Sequence, residues 1–144
     1  MYETILFPTD GSEHAETVAE HAFEAAQVRS ATLHVVSVVD DRAFLVLDDD
    51  RVEEVRSDLR RNARAAVDDA TALAAEHDQD LEIETAIQTG HPAECIVDYA
   101  AENDVDLIVM GTSGDEYENN VVGSVSQRVV RTAPVPVTTV GPDA

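Results

Sequence analysis

The chain has 144 residues, with 30 acidic side chains against nine basic ones and a net charge of −21. That length suits one domain, residues 1–144, with room for a proper core. The acid excess excludes a nucleic-acid surface, which needs a basic stripe. All nine bases are arginine. The absence of lysine removes P-loop and Schiff-base chemistry. Self-repulsion at this charge is relieved by salt, because the Debye length falls to about 3 Å near 1 M. The composition therefore leads us to expect a protein adapted to molar salt. Tryptophan is absent and aromatics are 4% of residues, so the core must be built from Val, Ala, Leu and Ile. A single cysteine, Cys95, cannot form an internal disulfide, as expected in a reducing cytoplasm. No apolar run approaches the roughly 20 residues of a membrane span. The opening residues do not read as a secretion signal, so a cytoplasmic protein without a membrane partner is expected.

In chain order, Thr4 to Phe7 reads as a short buried strand ended by the turn Pro8-Thr9-Asp10-Gly11. Ser12 is the expected N-cap of a first helix carrying Ala15, Val18, Ala19, Ala22 and Ala26 at helical spacing. Ala31 to Val39 reads as a second strand buried on both faces. Asp40 to Asp50 is a loop whose Phe44-Leu45-Val46-Leu47 centre is expected to pack locally. Asp50 with Glu53 resembles a capping box, opening a long amphipathic helix that ends near Glu76 or His77. Its Arg60, Arg61 and Arg64 are expected on a solvated face.

Leu81 to Thr89 alternates and reads as a third strand, closed by Gly90-His91-Pro92. Pro92 suits the first position of a third helix, whose apolar face is Ala93, Ile96, Val97, Ala100 and Ala101. Leu107 to Met110 is a fourth strand, Val121 to Val129 marks a fourth helix, and Val135 to Val140 is a last strand. Strands alternating with helices mean an α/β domain with a parallel sheet and helices on both faces. The prolines at 134 and 136 put the last strand on an edge.

The chemistry is expected beyond the C-terminal ends of strands 1 and 4, where a doubly wound sheet opens a crevice. Gly111-Thr-Ser-Gly114, followed by Gly123-Ser124, leaves a strand and enters a helix. Glycines there admit an anion to the backbone, and a helix start presents free N–H groups to it. The intervening loop carries Asp115, Glu116 and Glu118. Asp10, beyond strand 1, can accept from a ribose hydroxyl or an adenine amino group, although the turn alone would also select Asp. His14 and His21, seven apart, read as a solvated pair rather than metal ligands. Cys95 has no activating neighbour in sequence, and no nucleophile–base pair can be named, so no dedicated catalysis is expected.

Pro8-Thr9-Asp10-Gly11-Ser12, His34-Val35-Val36, Gly90-His91-Pro92, Val109-Met110-Gly111-Thr112 and Gly123-Ser124-Val125 through Pro134-Val135-Pro136-Val137 occur in an order and spacing that resemble the universal stress proteins. The likeness covers essentially the whole chain, and the acid excess adds the expectation of a haloarchaeal member. The resemblance implies a three-layer sandwich around a five-stranded parallel sheet of order 3-2-1-4-5, of the adenine-nucleotide alpha-hydrolase-like type. It implies a homodimer through the C-terminal edge strand. It also implies a site for ATP or another adenine nucleotide, with Pro8, Thr9, Asp10 and Val35 near base and ribose. Met110 and Gly111 would border the ribose, and Gly114, Gly123, Ser124 and Val125 would cradle the phosphates, with Mg²⁺ as a bridging ion. The chain departs from the nucleotide-binding pattern, with eight residues rather than nine between Gly114 and Gly123. Three readings stand: a nucleotide-binding stress regulator, a dimeric interaction protein without nucleotide, and a slow nucleotide hydrolase.

Overall fold

The computed structural model describes residues 2–41, 49–112 and 123–141. Its elements run β1 (Thr4–Pro8), α1 (Ala15–Arg29), β2 (Thr32–Asp40), α2 (Asp49–His77), β3 (Glu82–Gly90), α3 (Pro92–Glu102), β4 (Leu107–Gly111), α4 (Ser124–Thr132) and β5 (Val137–Val140). The five strands form one sheet of order β3-β2-β1-β4-β5, every pair parallel. The expected architecture and strand order are thus both present.

Strand alternation sorts the core into two halves. Ile5, Phe7, Leu33, Val35 and Val109 face α1 and α2. Leu6, Val36, Ile108 and Met110 face α3 and α4. Each large side chain among these contributes about 1.5–3 kcal/mol by leaving water. Alanines at 19, 22 and 26 of α1 and at 63, 66, 70 and 74 of α2 are buried, so small side chains line the contact faces of both helices. β5 has four residues and, among the described residues, pairs only with β4, so no described strand covers its outer edge.

One further device fixes α3 to the sheet. His34 of β2 stands opposite Glu84 of β3, and its Nε2 lies 3.0 Å from the Glu84 carboxylate. The carboxylate can only accept, so Nε2 carries the proton. Nδ1, 2.6 Å from the Tyr99 hydroxyl, then accepts from that hydroxyl in the neutral ring. Burial, and secondly the Glu84 charge, push the Tyr99 phenol above its ordinary range.

Two expected caps are corrected. Ser12 does not cap α1, because the chain makes a further turn and the cap position falls to His14, whose side chain makes no capping bond. The Ser12 N–H is bound by Asp10 Oδ1 at 2.9 Å, and the Ser12 carbonyl accepts from Ala15 N. Asp50 is already helical in α2, which begins at Asp49. Three consecutive aspartates, Asp48 to Asp50, offer the same capping chemistry, so composition could not choose among them. The Phe44–Leu47 packing expected from sequence lies outside the described residues. Arg60, Arg61 and Arg64 are exposed. Among the described residues, no helix is long and apolar enough to cross a membrane.

Candidate functional site

β1 ends at Pro8, but pairing continues one step further. Thr9 N donates to the Val36 carbonyl at 2.8 Å. The chain then folds back: Gly11 N donates to Thr9 Oγ1 at 3.3 Å, while Asp10 Oδ1 holds the Ser12 N–H. Gly11 is required here twice over. Its φ is +75°, and a Cβ would lie 3.0 Å from the Ala66 Cβ of α2. This tight turn carries Thr9 and Asp10 over the C-terminal end of the sheet and delivers the chain to α1.

Across the crevice, β4 runs out through Gly111 to Thr112. The Thr112 carbonyl accepts from the Gly123 N–H and from the Ser126 hydroxyl. Ser126 Oγ also lies 3.0 Å from the Gly123 carbonyl. These bonds bring Gly123 beside Thr112 although ten residues separate them in the chain. α4 starts immediately afterwards, and Gly123 in the cap position has no side chain to occupy the first N–H groups. They remain available to a ligand, as at any uncapped helix start.

A cavity of about 470 Å³ lies between these two features. Phe7, Pro8, Thr9 and Asp10 line it from β1 and its turn, and Ser12, His14, Ala15 and Val18 from the entry to α1. Val36, Val38 and Asp40 come from β2, and Pro92 and Ile96 from α3. Met110, Gly111 and Thr112 come from β4 and its exit, and residues 123–126 from the start of α4. One end, between β2 and α3, is an apolar slot of Val36, Val38, Pro92 and Ile96. The other is a cluster of hydroxyls and backbone amides at Thr112, Gly123, Ser124 and Ser126. Among the described lining residues the charged groups are Asp10 and Asp40, and none is an arginine.

His14 closes the floor between these ends. It is 5% exposed, and its Nε2 lies 3.0 Å from the Val140 carbonyl. The same carbonyl accepts from Thr112 N at 3.1 Å. The last residue of β5 is therefore tied both to α1 and to the exit of β4.

Pro8, Thr9, Asp10, Met110, Gly111, Gly123, Ser124 and Val125 all line this one cavity. Val35 does not. It is fully buried in the core against α1 and α2, because Pro8 stands opposite Val36 in the sheet and strand alternation turns Val35 to the other face. Val36 and Val38 take its place. Gly114, Asp115, Glu116 and Glu118 lie outside the described residues. His14 and His21 are not brought together, since His14 is buried and His21 exposed. Among the described residues no group of three His, Cys, Asp or Glu side chains is placed to hold a metal. Cys95 lies one turn into α3, outside the cavity lining. Burial first, then the charges of Asp41, Asp98 and Glu94, push its thiol above the ordinary range, which keeps it protonated near neutrality.

Residues 1–141 match the Universal stress protein family. The chain belongs to this family. The universal stress protein MJ0531 of Methanocaldococcus jannaschii is 34% identical over 139 residues, covering 95% of this chain and 81% of the relative. The structure of universal stress protein UspA from Lactobacillus plantarum is 31% identical, with a TM-score of 0.80 over 96% of this chain and 97% of that one. The universal stress protein from Archaeoglobus fulgidus, solved in complex with dAMP, is 25% identical, with a TM-score of 0.70 over 96% and 97% of the two chains. Sequence reasoning about this universal stress protein missed Ser12, His14, Val36, Val38, Asp40, Pro92, Ile96, Thr112 and Ser126 as cavity residues. For the β2 pair a signal existed: alternation from a residue paired with the end of β1. For His14 none did, because its partner Val140 is 126 residues away.

Proposed function

We propose that the chain binds an adenine nucleotide in the cavity between β1 and β4 and acts as a homodimeric stress regulator whose surface changes with occupancy. The observation that carries this reading is the polarity of the cavity. An apolar slot between β2 and α3 (Val36, Val38, Pro92, Ile96) continues into the amide and hydroxyl cluster at Thr112, Gly123, Ser124 and Ser126. The slot suits a purine ring, and the far end suits a phosphate at a helix start. In this reading Thr9 and Asp10, which line the same cavity, meet the ribose hydroxyls. The volume of about 470 Å³ falls within the range of small-molecule sites. The dAMP held by the Archaeoglobus fulgidus relative supports the same ligand class. In this reading Mg²⁺ accompanies the longer phosphate chains, where it typically binds through phosphate oxygens and retained waters. Hydrolysis is no part of the proposal.

The test is calorimetry with AMP, ADP and ATP, with and without Mg²⁺, in molar KCl, with GTP as the control. Micromolar binding of an adenine nucleotide, weakened at least tenfold by Ile96→Asp in the base slot, is the expected result. No binding to any of the three under any condition would overturn the reading.

The homodimer of this reading forms along the outer edge of β5. The Pro136 carbonyl accepts from Ile108 N and the Val140 carbonyl from Thr112 N, so alternation points the Thr139 N–H away from β4. Thr139→Pro removes an outward donor and is expected to give a monomer in light scattering. A dimer unchanged by this substitution would place the interface elsewhere.

A further inference from the structure

We propose that His14 is a proton-linked contact for the phosphate end of the bound nucleotide, so that the site takes up a proton as it fills. This inference rests on the nucleotide reading above and concerns the regulation of that same site.

The argument begins with charge. A nucleotide phosphate brings at least one negative charge into a chain that already carries −21. The described lining offers it hydroxyls, backbone amides and two carboxylates, Asp10 and Asp40, but no guanidinium. His14 is the one described lining side chain able to become a cation near neutral pH. It is also placed at the correct end. The Val140 carbonyl that receives its Nε2 also receives Thr112 N. The Thr112 carbonyl in turn receives the Gly123 N–H at the mouth of α4. One carbonyl therefore joins the imidazole to the amide cluster that the phosphate would occupy.

The ring's chemistry is set by that partner. A carbonyl only accepts, so Nε2 bears a hydrogen in either charge state. The second proton must enter at Nδ1, and doing so leaves the Val140 bond intact. Titration of His14 thus changes the charge of the cavity wall without releasing β5. The charged groups of the described lining are acidic, Asp10 from the β1 turn and Asp40 from β2, and Glu13 and Glu16 stand close to His14 in the sequence at the entry to α1. α3 and α4 bring no charged residue to the described lining, since Glu94 and Arg128 pair with each other at 3.0 Å. A phosphate arriving beside the ring would favour its protonated form.

The sign follows from linkage. If the bound state holds more protons than the free state, affinity is highest at low pH and declines as pH rises through the titration of the liganded ring. AMP binding is measured by calorimetry at pH 6, 7 and 8, each in two buffers of different ionisation enthalpy, for the wild type and His14→Gln. The glutamine amide nitrogen can still donate to Val140 but cannot titrate. The phosphate's own titration is common to both proteins and cancels in the difference. The wild type is expected to take up a substantial fraction of a proton more than His14→Gln. Its affinity should fall up to tenfold further between pH 6 and 8. Adenosine, which carries no phosphate, should show no such difference.

Equal proton uptake and equal pH profiles in the two proteins would overturn the inference and leave the nucleotide reading standing. Failure of AMP, ADP and ATP to bind the wild type would instead overturn the reading beneath it. Should His14→Gln not fold, the His14 ring is followed by NMR in the wild type. AMP is expected to move its titration to higher pH, and an unmoved titration refutes the inference.

Discussion

Gly11→Ala tests the close approach of the β1 turn to α2, on which the placement of Asp10 depends. Holding alanine at the observed φ of +75° costs about 1–2 kcal/mol. The new Cβ would also meet the Ala66 Cβ at 3.0 Å and the Ala66 Cα at 3.6 Å. Neither contact can be relieved by a rotamer, because Ala66 has none and its helix is anchored by Ala63, Val67, Ala70 and Ala74, all buried. Overpacking of this kind costs about 1–3 kcal/mol. Reduced freedom of the unfolded chain returns about 0.4–1 kcal/mol. The net loss is about 2–3 kcal/mol, which for a chain of this length lowers Tm by roughly 6–12 °C. Thermal unfolding by circular dichroism at fixed molar KCl measures it. Ala66→Gly in the same background separates the two terms, since it removes the facing methyl and leaves the dihedral cost. The double variant should then be more stable than the sum of the single losses by about 1 kcal/mol or more. An unchanged Tm for Gly11→Ala, or strict additivity in the cycle, would refute the argument.

Three other outcomes are expected. Cys95 should react with iodoacetamide more slowly than a free thiol at pH 7.5, with a rate that climbs only at alkaline pH, because burial and the neighbouring carboxylates hold its thiol up. A rate equal to that of a model thiol contradicts this. Tyr99→Phe removes the hydroxyl from His34 Nδ1 and should cost about 1 kcal/mol near neutral pH in urea unfolding. The phenol is raised in the fold, so whatever stability it lends is present below the ordinary tyrosine range and is lost as pH rises through the folded value. An ultraviolet titration should therefore show a late-ionising tyrosine that disappears in Tyr99→Phe. Finally, a net charge of −21 should make stability salt-dependent. Between about 0.05 and 2 M KCl the gain should reach about 3 kcal/mol, or roughly 10 °C, and a flat Tm would remove the case for salt adaptation.

How far the sequence could be read depended on which residues carried a local signal. The nine elements announced themselves through apolar runs and glycine or proline punctuation, with most ends off by a residue or two and α4 running from Ser124 to Thr132 where Val121 to Val129 was expected. Pro92 at the start of α3 and the prolines before β5 marked boundaries because proline restricts the backbone wherever it stands. The strand order came from resemblance to a family, since hydrophobic periodicity says which face is buried but not which strands are neighbours. Within Leu33 to Val39 every position except His34 and Ser37 is aliphatic. With both sheet faces covered there is no polar alternation to orient the strand, so Val35 could not be told from Val36. The Ser12 cap was misplaced because the chain makes a further turn before α1, in which the Ser12 carbonyl accepts from Ala15 N and the cap position falls to His14. His14 looked like a surface histidine until β5 supplied its carbonyl.

The bond between His14 and Val140 also bears on the order in which the molecule acquires its site. The cavity draws on stretches from Phe7 to Ser126 and is braced at Val140, so almost every contact that builds it is non-local. Such contacts repay their loop-closure entropy late. A partly folded chain with β1, β2 and β3 paired would have the apolar slot's strand face but no amide cluster and no partner for His14. Ligand binding then belongs to the complete fold alone. Whatever occupies the cavity should stabilise the domain as a whole, by about 2.7 kcal/mol at one hundred times its dissociation constant. It should slow exchange at amides as distant as those of β5. In this chain the ligand would act as a late tertiary contact, drawing together segments that the sequence keeps far apart.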